Sequence, residues 1–314
     1  MPITAFVFPG QGSQSIGMLN SLANHYPLII ELFETVSERM GYDVWHLVQH
    51  GPEALLNQTM HTQVAMLTAD VAVFTLLKQQ MAIRAKIMAG HSLGEYAALV
   101  CAGSISLPDA AELVSKRGQL MQETVPLGVG SMAAIVGLTN EQVLSICEQV
   151  STITQYVSPA NYNAIGQVVI AGHTDAVKQA IILAEEMDAR LAKVLPVSVP
   201  CHCNLLTQAA DLFADALLNT KFNIPELPVI SNVDLSIYKS VDQIRTLLKE
   251  QLYRPVRWVE TIQRMKMEGV ELIVECGPGK VLTGLVKRID KTLDAISIND
   301  LPSTLSALNI MSEA

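Results

Sequence analysis

The amino-acid sequence predicts an α/β fold with a mostly parallel sheet and a small inserted domain. At both ends of the chain, short buried runs that stop at a turn alternate with helical patterns, which is typical of a parallel sheet covered on both faces. Between residues 127 and 198 the order becomes β-α-β-β-α-β, the ferredoxin-like plan. We therefore expect a large domain formed by residues 1–126 and 199–314, with a ferredoxin-like small domain at residues 127–198.

The first segment of the large domain contains two predicted strands. TAFVF stops at Pro9 and AKIMAG stops at Gly90, as buried strands do before a turn. Between them, PLIIELFETVSERM and TQVAMLTADVAVFTLLKQQM have helical patterns. GEYAALVCAG predicts a helix that ends at Gly103. LPDAAELVSKRGQLMQETV predicts another, with Pro108 and Asp109 in its first turn, where both residue types are favoured.

The inserted segment begins with a predicted strand, SMAAIVGL. Thr139 and Gln142 match a capping box, which starts the helix NEQVLSICEQV. Two strand-like runs follow, ITQYVSPANYN and QVVIAGH. Thr174 and Asp175 then begin a helix through AVKQAIILAEEM, and the strand RLAKVLPVSV completes the small domain.

The last segment returns to helix–strand alternation, as the large domain requires. Its predicted strands are PVISN and VELIVECGPG, the second ending in a glycine turn. Its helical patterns are NLLTQAADLFADALLN, VDQIRTLLKEQL, VRWVETIQRMKMEG and KVLTGLVKRI.

Composition argues against several classes of function. The chain has 314 residues, of which 50% are hydrophobic and 16% charged, so it can bury a sizeable core. Its net charge of −9 argues against nucleic acid as a partner, because phosphates are neutralised by clustered lysine and arginine. The longest apolar stretch, VAMLTADVAVFTLL, is too short to span a bilayer and contains Asp70, so no membrane is expected.

The sequence also predicts a location in the cell. MPITAFVFPG has no basic segment, so no signal peptide is expected. The five cysteines are sparse and odd in number, which indicates reduced thiols rather than a disulfide framework. They are Cys101, Cys147, Cys201, Cys203 and Cys276. We expect a cytoplasmic protein that is a monomer.

The pattern GHSLG places Ser92 between Gly90 and Gly94. A strand before and a helix after this serine are the context of a nucleophile elbow, which exposes the hydroxyl at the carboxyl end of a strand. Backbone N–H groups at the start of the helix could then stabilise an oxyanion. A serine there is also a good helix N-cap. The strand–turn–helix context favours the nucleophile.

A serine nucleophile needs a base, and His202 is the best candidate among seven histidines. It follows the predicted strand LPVSVP, at the carboxyl end where sites collect in such folds. His91 is expected to point away from Ser92 and to pack in the core. Cys201 and Cys203 flank His202, but neighbours on an extended chain point in opposite directions and no second cluster completes a metal shell. No metal is expected.

Two further residues have open interpretations on sequence grounds. Gln11 in PGQGSQ could place its N–H in an oxyanion hole, but an ordinary glycine-rich turn is favoured from that fragment alone. Arg117 in SKRGQLM could hold a carboxylate in two parallel hydrogen bonds or lie on a solvated helix face, and spacing does not decide. GPGKVLTG lacks the spacing of a phosphate loop and predicts a strand-to-helix turn.

Taken together, seven fragments resemble the malonyl-CoA:acyl carrier protein transacylases of bacterial fatty-acid synthesis. In order they are FPGQGSQ, GHSLGEYAALVCAG, KRGQLMQE, PANYNAIGQVVIAG, LPVSVPCHC, QLYRPVRW and ECGPGKVLTGLVKRI. The resemblance implies a hydrolase-like large domain with a ferredoxin-like insertion. It implies ping-pong transfer of malonyl from coenzyme A to the phosphopantetheine thiol of acyl carrier protein, with no metal or redox cofactor.

The resemblance also implies catalytic roles for five residues. Ser92 would carry the malonyl group and His202 would activate Ser92. The main-chain carbonyl of Gln251, rather than a carboxylate, would orient the histidine. Gln11 and Leu93 would supply the N–H groups of the oxyanion hole, which overturns the ordinary-turn interpretation of Gln11.

For substrate recognition, the resemblance assigns Arg117 to the free malonyl carboxylate and places Asn161 near the histidine and substrate. The sequence departs from the family pattern at Cys201, where serine is expected; both residues are small, so little change in mechanism follows. VPCH is also unlike the corresponding segment of relatives that take branched malonyl units, so malonyl is favoured over methylmalonyl.

Three alternatives stay open: a free-standing acyltransferase that serves a polyketide synthase, a serine hydrolase that releases acyl groups to water, and a silent binding module. Carrier proteins are usually acidic, so docking on this acidic chain needs a local basic patch. Lys280, Lys287 and Arg288, with Lys116, are the candidates, and a solvated helix face is the other interpretation of the same residues.

Overall fold

The computed structural model describes residues 2–197 and 199–312. Its first sheet contains four parallel strands in the order β2-β1-β7-β8. These strands are β1 (Thr4–Phe8), β2 (Ala85–Gly90), β7 (Leu272–Cys276) and β8 (Asp294–Ile298). The predicted α/β fold with a mostly parallel sheet is confirmed.

Helices cover both faces of this sheet. Phe6 and Phe8 of β1 belong to one hydrophobic cluster, whereas Ala5 and Val7 belong to another, because successive side chains on a strand point to opposite faces. The helices are α1 (Asn20–Ala23), α2 (Leu28–Met40), α3 (Val44–His50), α4 (Glu53–Leu56), α5 (Thr59–Gln80), α6 (Gly94–Cys101), α7 (Leu107–Thr124), α10 (Thr207–Asn219), α11 (Val241–Glu250), α12 (Trp258–Met267), α13 (Val281–Ile289) and α14 (Leu301–Ser312).

The second sheet is antiparallel, with the order β4-β5-β3-β6. Its elements follow one another in the predicted β-α-β-β-α-β sequence: β3 (Gly130–Val136), α8 (Asn140–Val150), β4 (Val157–Ala164), β5 (Gln167–His173), α9 (Thr174–Glu186) and β6 (Leu191–Val194). The side chain of Thr139 and the side chain of Gln142 complete the predicted capping box at the start of α8. Both helices contribute apolar side chains to the core of this sheet.

Register places two loops side by side at the carboxyl edge of the parallel sheet. Phe8, the last residue of β1, pairs with Gly90, the last residue of β2. The N–H of His91 donates to the carbonyl of Phe8 at 2.9 Å. A Cβ on Gly94 would lie 2.0 Å from the same carbonyl, so this close approach requires glycine. The loop after β1 and the turn after β2 therefore meet.

Helix α5 differs from the sequence interpretation of its apolar stretch. It has 22 residues, so it extends beyond VAMLTADVAVFTLL at both ends, and by length and composition alone it is long and apolar enough to cross a membrane. However, 83% of its most apolar window is buried inside the protein. The helix is therefore the central helix of the core, and Asp70 is fully buried within it.

Some predicted elements differ in extent. β6 ends at Val194, earlier than RLAKVLPVSV suggested, and Ser198 of that stretch lies outside the described residues. PVISN forms only isolated bridges, between Met88 and Val229 and between Ile230 and Ile237. NLLTQ begins with a short 3-10 turn before α10. Strand β8 and helix α14 had no counterpart in the sequence interpretation.

Candidate active site

Ser92 lies at the sharp turn between β2 and α6, as the sequence predicts. Its backbone has a φ of 53°, a left-handed conformation that is uncommon for residues other than glycine and costs free energy. Its N–H donates to Asn232 Oδ1 at 2.8 Å, which holds the turn in place. The hydroxyl is partly exposed to a cavity, where a substrate can reach it.

His202 meets Ser92 from a distant part of the chain. The Ser92 Oγ and His202 Nε2 atoms are 2.7 Å apart, and His202 Nδ1 is 2.7 Å from the main-chain oxygen of Gln251. Burial, together with the nearby Arg117 guanidinium, lowers the pKa of His202 to about 3. The imidazole is therefore neutral near pH 7. With Nδ1–H donating to the carbonyl, Nε2 is free to accept the serine proton.

Arg117 reaches the same point from α7, and its side chain is only 2% exposed. Nη1 donates to Gln63 Oε1 and Nη2 to Gln251 Oε1, both at 3.0 Å, and Nη2 lies 3.4 Å from Ser92 Oγ. Within the described residues it forms no ion pair with a carboxylate. A buried guanidinium with only neutral direct partners is suited to hold an anionic group of a substrate.

Gln11 and Leu93 both line the cavity beside Ser92. In the described part of the chain, neither backbone N–H donates to an acceptor. The Gln11 side chain contacts Thr59 Oγ1 at 3.5 Å. Donors beside the serine that have no acceptor of their own meet one requirement of an oxyanion hole.

The cavity around Ser92 has a volume of about 570 Å³ and is lined by the antiparallel sheet, by α13 and by the loops that follow β1 and β2. Met132, Asn161 and Val169 contribute from the antiparallel sheet, while Leu282 and Leu285 contribute from α13. Asn161, which the resemblance places near the histidine and substrate, lines the same cavity as His202. The turn GPGKVLTG, which sequence spacing put only near the site, begins the helix that forms one wall.

Beneath Ser92 lies a buried polar cluster that sequence reasoning missed. Glu95 accepts hydrogen bonds from Gln251 Nε2 and from the Tyr238 hydroxyl, each at 2.5 Å. Asn232 and Gln63 complete the cluster. One signal was available: Glu95 is the only charged residue in GEYAALVCAG, an otherwise apolar helix in which a charge needs buried partners.

His91 is half-buried and packs edge-to-face on Trp258, with ring centroids 5.4 Å apart. It also lines the cavity and contacts Asn163 Oδ1 through Nε2 at 2.7 Å. The expectation that His91 packs in the core therefore describes its contact with Trp258 but not its position at the cavity wall. Burial lowers the pKa of His91.

The cysteines that flank His202 behave as small packed side chains. Cys203 is buried, and burial raises the pKa of the Cys201 thiol to about 11. All five cysteines are unpaired. Among residues 2–197 and 199–312, no group of three or more histidine, cysteine, aspartate or glutamate side chains is placed to hold a metal ion.

The four basic docking candidates do not form one patch. Lys280 is exposed where α13 begins, and Arg288 donates to Gln167 Oε1 of the antiparallel sheet. Lys287 instead lines a separate depression with Glu271, and Lys116 lines a third, on α7. Lys287 and Arg288 are successive residues of α13 and point about 100° apart around it, and Lys116 lies on a different helix, so the four residues do not converge.

A cavity that joins a serine, a histidine and a buried arginine has the groups that acyl transfer through a serine requires. The family model for the acyl transferase domain matches residues 5–303 of the sequence. This match covers most of the chain, which therefore belongs to the acyl transferase domain family.

Individual relatives and solved structures are similar to this chain over nearly its whole length. A malonyl CoA-acyl carrier protein transacylase from Haemophilus influenzae is 50% identical over 300 residues, covering 95% of this chain and 96% of its own. An acyl carrier protein S-malonyltransferase structure from Vibrio cholerae is 50% identical, covers 98% of this chain and 99% of its own, and superimposes with a TM-score of 0.95. A malonyl-transacylase in complex with its type II PKS acyl-carrier protein is 48% identical, covers 98% and 99%, and has a TM-score of 0.96.

Proposed function

We propose that this chain transfers malonyl from malonyl-CoA to the phosphopantetheine thiol of acyl carrier protein through a malonyl-serine intermediate, supplying fatty-acid synthesis. The observation that carries the proposal is the 3.4 Å approach of Arg117 Nη2 to Ser92 Oγ. A guanidinium at that distance can hold the distal carboxylate of a malonyl group while the serine attacks its thioester carbon. The names of the relatives support the same substrate and partner.

In the first half-reaction, Ser92 Oγ attacks the thioester carbonyl of malonyl-CoA and His202 Nε2 accepts the serine proton. The N–H groups of Gln11 and Leu93 donate to the oxyanion that forms. The carbon–sulfur bond then breaks, and the coenzyme A thiolate takes the proton from His202. In the second half-reaction, the phosphopantetheine thiol attacks the malonyl ester by the same steps in reverse order. Gln251 orients His202 throughout, and Asn161 borders the substrate.

Arg117 gives the reaction its selectivity for malonyl. Acetyl would leave the buried guanidinium without an anionic partner, and an unpaired buried charge costs about 2–5 kcal/mol, so discrimination of several hundredfold is within reach. The same clamp retains malonyl against release to water, which argues against a hydrolase. The reaction as proposed requires no metal or redox cofactor, because the serine, the histidine and two N–H groups supply each step.

We also propose the domain division expected from the sequence, with a hydrolase-like large domain at residues 1–126 and 199–314 and a ferredoxin-like small domain at residues 127–198. The strand order β4-β5-β3-β6 with two helices supports the second part. The five unpaired cysteines support a reduced, cytoplasmic location. A monomer is proposed because one chain contains every residue of the site.

The likeness to a malonyl-transacylase bound to a type II PKS acyl-carrier protein favours one alternative partner. In that case, the chemistry would be unchanged and the malonyl group would go to the carrier protein of a polyketide synthase. Transfer rates to the two carrier proteins, measured side by side, distinguish the two roles.

The test of the function is the intact mass of the protein after mixing with malonyl-CoA, with acetyl-CoA in a parallel tube and no carrier protein. We expect a malonyl adduct on the wild-type chain, little acetyl adduct, and none with Ser92→Ala. Free coenzyme A without an adduct would indicate hydrolysis instead. Neither adduct nor free coenzyme A would contradict the proposed acyl donor.

A further inference from the structure

Glu95 lies directly below the serine turn and never reaches the cavity. Its side chain is fully buried on the first turn of α6. Three donors converge on its carboxylate: Gln251 Nε2 on Oε2 at 2.5 Å, and on Oε1 the Tyr238 hydroxyl at 2.5 Å and the N–H of Asn232 at 3.3 Å. The proposed mechanism uses none of these contacts, although two of the donors belong to residues that touch the reacting groups.

Gln251 connects Glu95 to the base and to the arginine. The main-chain oxygen of Gln251 accepts from His202 Nδ1, and its side-chain Oε1 accepts from Arg117 Nη2. An amide side chain can present its oxygen to Arg117 only if its NH₂ group points the other way. The Glu95 carboxylate, which accepts and does not donate, lies at that NH₂ group at 2.5 Å, and the main-chain oxygen of Ser92 accepts from the same group at 3.0 Å, so the two acceptors together fix the orientation of the amide.

Asn232 forms a second connection, to the serine. Its side-chain Oδ1 accepts from the N–H of Ser92 at 2.8 Å, and its Nδ2 donates to the carbonyl of Gly90 at 2.7 Å. The N–H of the same residue donates to Glu95. The strained turn of Ser92 is therefore held by a residue that Glu95 also holds.

We propose that Glu95 is a positioning residue for acyl transfer, orienting Arg117 and His202 through Gln251 and the serine turn through Asn232. The inference rests on the proposed function and adds a residue that does not contact substrate. It predicts that changes at Glu95 alter both the reactivity of Ser92 and the preference for malonyl over acetyl, because a single carboxylate sets both geometries.

The ionisation of Glu95 supports this role. Burial raises its pKa to about 7, although hydrogen bonds from Tyr238 and Gln251 and the charge of Arg117 lower it. Tyr96 is a further titratable group that interacts with it electrostatically. Above pH 7 the carboxylate serves all three donors, whereas below pH 7 the protonated group offers fewer acceptor sites. Loading should therefore decrease as the pH falls through about 7, far above the range in which His202 titrates.

The experiment measures initial rates of Ser92 modification from pH 5.5 to pH 9 (the range brackets a pKa near 7) with malonyl-CoA, acetyl-CoA and a serine-reactive fluorophosphonate. For Glu95→Gln we expect malonyl loading to fall about tenfold to a hundredfold, the size of effect that small displacements of reacting groups produce. The malonyl-to-acetyl ratio should fall and the acidic limb near pH 7 should disappear. Fluorophosphonate labelling depends on the Ser92–His202 pair and not on the carboxylate clamp. It should also slow, because Glu95 orients His202 through Gln251.

Tyr238→Phe keeps the carboxylate and removes one hydrogen bond that lowers its pKa, so the midpoint of the acidic limb should move to higher pH. This variant tests the inference even if Glu95→Gln does not fold. Tyr42→Phe is the matched control, because the Tyr42 hydroxyl is buried without a partner among the described residues, and its profile should equal that of the wild type.

Wild-type profiles and selectivity in both Glu95→Gln and Tyr238→Phe would overturn the inference. A wild-type chain that reacts with the fluorophosphonate but takes no malonyl would contradict the proposed function alone. In that case the labelling rates of the variants still decide whether Glu95 positions the serine and the histidine.

Discussion

Two strand-to-helix turns at the carboxyl edge of the parallel sheet have the same outline and different properties. The turn after β2 places Ser92 at a φ of 53°, whereas the turn after β7 uses Gly277 and Gly279 at φ values of 139° and 79°. Glycine adopts such angles at little cost, but serine does not. Of these two turns, only the one whose side chain lines the cavity carries this conformational strain.

A buried glutamate lies next to each turn, Glu95 in α6 and Glu275 in β7. The hydrogen-bond partners of these two glutamates differ. Glu275 accepts from the N–H groups of Leu282 and Thr283 and from the Thr283 hydroxyl, so it satisfies the first turn of the helix that follows it. Glu95 instead accepts from Gln251, Tyr238 and Asn232, all distant in sequence. One carboxylate stabilises its own helix, while the other connects parts of the site.

Among changes that keep Ser92, the largest effect that we expect comes from Arg117→Ala, which removes a charge held by the network of the first turn. Malonyl loading should fall about a hundredfold or more, because the distal carboxylate loses a buried, charge-assisted partner. Acetyl loading should change much less. Parallel single-turnover rates with the two thioesters measure the ratio, and equal losses on both would contradict a carboxylate clamp.

Glu275→Gln should separate stability from selectivity at the second turn. The amide would direct an NH₂ group at N–H donors, so the free energy of unfolding should fall by about 1–3 kcal/mol. Loading by malonyl-CoA should stay within severalfold of wild type, with the malonyl-to-acetyl ratio unchanged. Urea unfolding gives the first quantity and intact mass gives the second. A changed malonyl-to-acetyl ratio would show that Glu275, like Glu95, affects the site and does not only stabilise its own helix.

Local sequence patterns predicted the elements that form each turn but not the network between them. The strand AKIMAG and the strand QVVIAGH have the bounds expected, because their apolar runs end at glycine or at a helix start. Strand β8 was missed because it is a short edge strand with only partial burial. Glu95 contacts Gln251 across 156 positions of sequence, a distance over which no periodic pattern carries information.

The site residues illustrate the same division. Ser92 follows from local context, whereas spacing left Arg117 undecided and suggested an ordinary turn for Gln11. The roles of those two, and that of Gln251, came only from resemblance to a family. The reason is physical, since a guanidinium on a helix is solvated or buried according to what packs on it, and here α5 covers α7. A Cβ on Gly118 would lie 2.7 Å from Met60 of α5, which shows how closely the two helices approach.

The smallest effect that we expect is on the KM for carrier protein, and it concerns α13, the helix after the second turn. Val281 and Leu285 of α13 line the cavity, and Arg288 follows them at helical spacing on the same face, with Lys280 exposed just before the helix. We propose that Lys280 and Arg288 contact the acidic carrier protein as it delivers its thiol to Ser92. Lys280→Glu combined with Arg288→Glu should raise the KM for carrier protein severalfold, since charges at the rim of an interface mainly affect encounter.

Lys287 is the matched control within the same helix, because it points into a depression shared with Glu271 and Asp294 rather than toward the cavity. Lys287→Glu should leave the KM for carrier protein unchanged, and both variants should load malonyl from coenzyme A at the wild-type rate. Added salt should reduce the difference between wild type and the double variant, as screening of exposed charges requires. An equal rise in KM for Lys287→Glu would contradict the proposal. It would mean that the net charge of the protein, rather than the position of Lys280 and Arg288, determines how carrier protein binds.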